Sequence, residues 1–382
     1  MGPARRARRV RVDARVLRLL VGWGDEPRRA ARSREPGRLV RRGVGRRAAR
    51  PPRADRPRAD LDRLVAGLRD AASRAVGPVE EVTGLVPADP AAPLSVVYVV
   101  DRPRWARANT EVMDHMTRGA LDDLLDDAQP VTALVGGAQV GATLALLSSR
   151  VLGQFDPYSR PGGPGRLLLV APNVLGVERQ LGVDPADFRL WVCLHEQTHA
   201  LQFASTPWLA DHLAGRARDL IGDVARSSKD FSESRVRDKL ATVGRAVLAA
   251  VRGEGQALLT GIVDDEQKHR LADVTAVMAL LEGHADVAMD AVGPALVPTV
   301  AHIRARFEAR RDGGGTRADQ VLRRLLGMDA KIAQYRDGAA FVREVTQRVG
   351  QHGLNAVWTS PDTLPTAREI ADPRAWVRRV HG

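Results

Sequence analysis

The sequence predicts a predominantly α protein of the α+β class, with a small sheet in the N-terminal third and a helical C-terminal part. Three observations carry this expectation. Two short β-rich runs, 94–100 (Leu-Ser-Val-Val-Tyr-Val-Val) and Arg166–Val170 (Arg-Leu-Leu-Leu-Val), have strand length and lie close to proline or glycine. Beyond about residue 185, apolar side chains recur at helical intervals with only short breaks. No segment repeats at a fixed period.

Residues 1–58 are unlike the rest. They hold 20 Arg against five acids (Asp13, Asp25, Glu26, Glu35 and Asp55), mixed with proline and glycine, so a mostly disordered arginine-rich tail is expected. The chain's net charge of +12 therefore belongs to this tail, which carries +15 and leaves residues 59–382 with −3. Overall basicity is then no sign of a nucleic-acid-binding body. Nucleic acid is a partner only through the tail, if at all, because Trp23 is the one aromatic interleaved with its arginines and stacking platforms need several.

Helical spacing begins after Asp60 with Leu61, Leu64, Val65, Leu68 and Ala72, which marks the start of a folded domain over 59–382. It divides into an N-terminal part, 59–180, and a helical part, 181–382. Between the two predicted strands lie helical stretches, including 138–152. The loop 156–165 is too rich in Pro and Gly for regular structure. The later helices are expected at 186–203, 207–226, 235–252, 270–291, 298–311, 317–328 and 338–350.

Composition excludes several classes. A single cysteine, Cys193, rules out a disulfide framework and any site built from several thiolates. The longest apolar runs fall short of the roughly 20 residues a membrane helix needs. The run 16–21 is broken by Arg18 and lacks a small-residue cleavage site, so a cytoplasmic protein without a membrane partner is expected. Neither Gly162–Gly165 nor Gly313–Gly315 reads as a phosphate loop, for neither carries Gly-Lys-Ser/Thr.

The chemistry lies in residues 184–203, Asp-Pro-Ala-Asp-Phe-Arg-Leu-Trp-Val-Cys-Leu-His-Glu-Gln-Thr-His-Ala-Leu-Gln-Phe. Asp184 suits an N-cap and Pro185 the first helical position, where a missing N–H costs nothing. The helix is apolar nearly all round and so is expected to be buried. Into it are set His195, Glu196 and His199, whose burial without partners would cost about 2 kcal/mol or more per group. His195 and His199 stand at i and i+4, one turn apart on one face, and can direct ring nitrogens at one Zn2+ with Glu196 beside them. Cys193 is turned roughly 200° from His195 and is expected to be a core side chain.

Two histidines need a third ligand. No further His follows at short spacing, so it must come from a second helix, and residues 278–290 (Met-Ala-Leu-Leu-Glu-Gly-His-Ala-Asp-Val-Ala-Met-Asp) supply an apolar helix with embedded polar groups. Glu282 and Asp286 share one face at i and i+4. Glu282 is the expected ligand, and Asp286 the carboxylate behind one of the histidines, fixing its tautomer. His284 is the alternative, as third ligand or as a donor to an oxyanion.

The pattern His-Glu-x-x-His followed by Glu-x-x-x-Asp resembles the gluzincin metallopeptidases. The strings around His195 and Glu282, with 357–365 (Val-Trp-Thr-Ser-Pro-Asp-Thr-Leu-Pro), look like an actinobacterial family of zincin-like metallopeptidases labelled as associated with biosynthesis of a deazaflavin coenzyme. The likeness runs from about residue 60 to the C-terminus. It implies a zinc site and a peptidase-type fold and supplies no substrate. On these parts the expected function is a zinc metallohydrolase acting on a peptide or another amide, with Glu196 as general base. His212, His284 and Tyr335 are candidate oxyanion donors, and Tyr158 could belong to a lid. The alternative is a catalytically silent zincin fold that retains zinc for binding.

Overall fold

The structure, a computed structural model, describes residues 55–117, 141, 143–160, 162–226, 265–313 and 328–382. The tail up to residue 54, the expected helix 235–252, almost all of 317–328 and part of 138–152 lie outside the described residues, as does the side chain of Tyr335. Contacts divide the chain into Met1–Asp60 and Leu61–Gly382; of the first unit only 55–60, the opening residues of a helix, are described.

That helix, α1 (Asp55–Arg74), buries Leu64, Leu68, Ala71 and Ala72, one stripe at helical spacing. After a break at Ala75 comes α2 (Val76–Thr83). Strand β1 (Val96–Val100) leads into α3 (Arg102–Thr117), and β2 (Gly153–Asp156) and β3 (Arg166–Val170) come next. The sheet order is β1-β3-β2, with β1 parallel and β2 antiparallel to β3. The two expected strands are present, the first trimmed to Val96–Val100, and β2 is additional. Central β3 is apolar on both faces: Leu167 and Leu169 enter the main core, while Leu168 and Val170 meet Trp105, Ala108 and Leu144 on the other side.

The remaining described elements are helical. They are α4 (Ala171–Leu181), α5 (Pro185–Ser205), α6 (Leu209–Arg226), α7 (Asp265–Ala291), the single turn α8 (Gly293–Leu296), α9 (Val300–Gly313) and α10 (Met328–Leu354). Two 3-10 turns, Asn355–Trp358 and Pro361–Thr363, lead to α11 (Ala367–Ala371) and α12 (Pro373–His381). This C-terminal stretch is fixed by its own polar bonds. Thr366 and Glu369 cap α11 reciprocally, Arg379 bonds Glu369 and the carbonyls of Asp362 and Leu364, and fully buried Trp376 donates its indole N–H to Thr363 O at 2.8 Å.

Helix α5 is the axis of the core. Phe188, Leu190, Trp191, Val192, Cys193, Leu194, Ala200 and Leu201 are buried, which fits its apolar circumference. Each fully buried Leu removes enough apolar area from water to contribute roughly 1.5–3 kcal/mol. Asp184 caps it as expected, accepting from the N–H groups of Ala186 at 2.9 Å and Asp187 at 3.0 Å.

Helix α7 lies against α5 on one side and α10 on the other. At the second contact the backbones nearly touch, for a Cβ on Gly338 would run into the carbonyl of Ala279, and one on Gly283 into the backbone of Gly338. The absence of two side chains therefore sets the depth at which α7 seats, and Glu282 is the residue before Gly283. Gly338→Ala is expected to destabilise by about 1–3 kcal/mol through overpacking. Gly176, helical and facing open space, should respond oppositely: Gly176→Ala gains about 0.5–1 kcal/mol. Thermal melts of the two variants test both signs.

Candidate metal centre

The apolar helix α5 delivers His195, Glu196 and His199 to one place, and α7 delivers Glu282 opposite. His195 Nε2 and His199 Nε2 lie 3.2 Å apart, and Glu282 Oε2 lies 3.3 Å from the first and 3.5 Å from the second. These atoms form a nearly equilateral triangle. Tetrahedral coordination with bonds of 2.0–2.1 Å places neighbouring donors about 3.4 Å apart, so the triangle has the dimensions of one face of a zinc tetrahedron. The three side chains keep 14–22% of their surface accessible. Among the described residues this is the one group of three or more His, Cys, Asp or Glu side chains placed to hold a metal ion.

The charges answer one another. Burial works against an ionised Glu282, yet the two imidazoles hold its carboxyl well below the usual range. Burial likewise works against a charged His199, and bonding and attraction to Glu282, with help from Glu196 and Gln202, lift it to about 9. The pocket is thus built for positive charge between its donors.

Glu196 occupies a different surface. It is buried, and burial raises its carboxyl, with Glu282 adding to the rise and His195, His199 and a hydrogen bond from the Phe155 backbone N–H opposing it. Its carboxylate rests directly on strand β2, where a Cβ on Gly153 would lie 2.6 Å from Glu196 Cγ and 2.7 Å from Oε1. The strand is held firmly. Gln154 and Asn109 exchange reciprocal amide bonds of 3.0 and 2.9 Å, and Asp156 accepts from Arg166 Nε at 2.5 Å. The two polar side chains that follow Glu196 are satisfied as well. Gln197 bonds Ser95 and Ala72 O, and Thr198 bonds Leu194 O.

Asp286 is placed otherwise than expected. Its carboxylate accepts from Arg304 Nη1 at 2.8 Å and makes no bond to either histidine. Arg304 reaches in from α9, also bonds Asp290 at 2.6 Å, and lies over the Trp191 ring at 5.3 Å. The shared face of Glu282 and Asp286 is real, but a guanidinium claims the second carboxylate. The group behind His199 is Gln202, whose Oε1 is 2.9 Å from His199 Nδ1 and whose Nε2 reaches Leu281 O at 2.9 Å and His284 Nδ1 at 3.0 Å. Its signal in the sequence was a polar residue at i+3 from a candidate ligand histidine on a buried helix.

His284 is buried beside the centre rather than in it. Its ring packs edge-on against Trp358, and burial, with His199 nearby, lowers it to about 4. Two other candidates have partners of their own. His212 packs on Trp208, and Tyr158 stacks on His115 with its hydroxyl donating to Ala210 O at 3.3 Å. Cys193 is a core side chain, fully buried against Leu68 O.

Comparisons with known proteins point the same way. A protein of Chloroflexus aurantiacus whose crystal structure is described as that of a candidate hydrolase with a novel fold is similar over 82% of this chain and 89% of its own, at 29% identity and a TM-score of 0.54. No curated protein matches the sequence. The family model for zincin-like metallopeptidases matches residues 39–377, beginning inside the arginine-rich segment and ahead of the start near residue 60 that the resemblance implied. With nearly the whole chain matched, the protein belongs to the zincin-like metallopeptidase family.

Proposed function

We propose that the chain is a zinc-dependent hydrolase of amide bonds, acting on a peptide, with Glu196 as its general base. The observation that carries this reading is the donor triangle of His195, His199 and Glu282, sized for one zinc ion and flanked by a carboxylate that is not part of it. When bound, zinc supplies a Lewis acid that polarises a carbonyl and lowers the pKa of a coordinated water towards neutrality.

The chain's own residues supply the rest. Glu196, raised by burial, takes a proton as water oxygen bonds to the substrate carbonyl carbon. It then delivers that proton to the amine nitrogen as the C–N bond breaks. A site meant only to hold zinc for structure would close the fourth position with protein and has no use for such a base. The peptide rather than another amide is favoured by β2. Val170 N–H bonds Leu152 O, so by the antiparallel register Gly153 turns its N–H and C=O, and Phe155 its C=O, away from β3, beside the base that already holds Phe155 N–H. An extended peptide can pair with such an edge. Kinship with the actinobacterial members labelled for deazaflavin coenzyme biosynthesis belongs to this proposal too, resting on the strings around His195, Glu282 and 357–365.

The wild-type chain is expected to bind about one zinc ion. Metal analysis should show near-complete loss in His199→Ala and Glu282→Ala and retention in His284→Ala; release of zinc by the His284 variant alone would assign the third ligand to His284 instead.

Glu196→Gln should keep zinc and lose about 10²–10⁴ in rate on a peptide whose cleavage by the wild type is chelator-sensitive. Unchanged turnover would remove Glu196 from the reaction.

Gly153→Ala pushes a methyl group into the base without touching a ligand. A displacement of this size should lower kcat on the order of 10²-fold with zinc content unchanged, read by the same two assays.

A further inference from the structure

We propose that Gln202, rather than a carboxylate, positions His199 for metal binding, its amide acting as a one-way connector between α7 and the imidazole. The inference rests on the zinc reading above. Gln202 is fully buried and links three groups. A backbone carbonyl can only accept a hydrogen bond, so Leu281 O requires the N–H₂ end of the amide, and the amide oxygen is thereby turned towards His199 Nδ1. That oxygen in turn can only accept. Nδ1 must then carry a proton, so that in the neutral ring a metal binds it is Nε2, the atom in the donor triangle, that offers the lone pair.

The second amide proton points at His284 Nδ1, which must therefore be an acceptor. This gives the buried His284 a function other than ligation: it holds the amide from turning over. Leu281 immediately precedes Glu282, so the same side chain ties down the turn that presents the third ligand. A carboxylate at position 202 would face the Leu281 carbonyl without a proton between them and add a third negative charge beside Glu282 and Glu196. The amide satisfies both sides without charge.

The test uses the full chain in two metal forms. Zinc affinity, measured by chelator competition, is expected to fall about 10–100-fold in Gln202→Met, which keeps length and loses both polar ends. In the cadmium-113 form with 15N-labelled histidine, wild-type His199 should be bound through Nε2 with a slowly exchanging Nδ1 proton, and that protection should vanish in Gln202→Met. Gln202→Glu separates the two ends. It keeps an oxygen towards His199 and loses the bonds donated to α7, so the protected proton should persist while the protein melts several degrees lower. Persistence of the proton in the Met variant, or its loss in a folded Glu variant, overturns the assignment. A wild-type chain that takes up no zinc overturns the underlying functional reading, an outcome distinct from both.

Discussion

Everything around α5 depends on one electrostatic constraint: two imidazoles and two carboxylates are set into a helix pair that water reaches poorly. Acceptor atoms 3.2–3.5 Å apart repel unless a proton or a cation lies between them. The chain does not dilute the group by exposing it. It packs α5 against α1, α2, α7 and the sheet, and the donor side chains keep 14–22% of their surface accessible. The depressed Glu282 and the elevated His199 are two sides of one fact, a negative potential waiting for positive charge.

Holding that arrangement is a matter of backbone placement more than of side-chain chemistry. Two sites lacking a Cβ flank the centre. At Gly283 and Gly338, α7 sinks onto α10 until the backbones touch, which sets how far Glu282 reaches towards the histidines. At Gly153, strand β2 comes close enough for the Glu196 carboxylate to lie on it and accept from Phe155 N–H. The outer side of α7 is tied down by charge, with Arg304 bridging Asp286 and Asp290 over Trp191. Packing closes the helix pair from one side and an ion network from the other.

The features legible in the sequence were local in kind. Asp184 and Pro185 announced the start of α5, the i and i+4 spacing of His195 and His199 placed both on one face, and the embedded acids of 278–290 marked α7. Such features depend on helix geometry alone. Features that depend on the element lying opposite were illegible. Asp286 has the spacing of a carboxylate partner to histidine, but Arg304 comes from another helix and reaches it first. Strand β2, four residues of Gly-Gln-Phe-Asp, has no apolar alternation to betray it, because its pairing is maintained by Arg166 and Asn109. The C-terminal helices were missed for a different reason. Thr366 and Glu369 form a capping box that the sequence does display, but α11 is too short for periodicity to mark it.

Glu196 shows why those unreadable contacts matter most. A carboxylate in an apolar pocket can rotate, and a loop would leave it to do so. Here the stop is a sheet strand pinned at Gln154 and Asp156, so Glu196 inherits the rigidity of β3 and, through Arg166, of α3, where Ala108 O and Glu111 complete the guanidinium's contacts. Three donor side chains from two packed helices and a carboxylate seated on a strand leave few soft dihedrals between them. For the proposed hydrolysis, reorganisation is thereby spent during folding instead of during reaction, which is the condition under which a buried electrostatic site is effective.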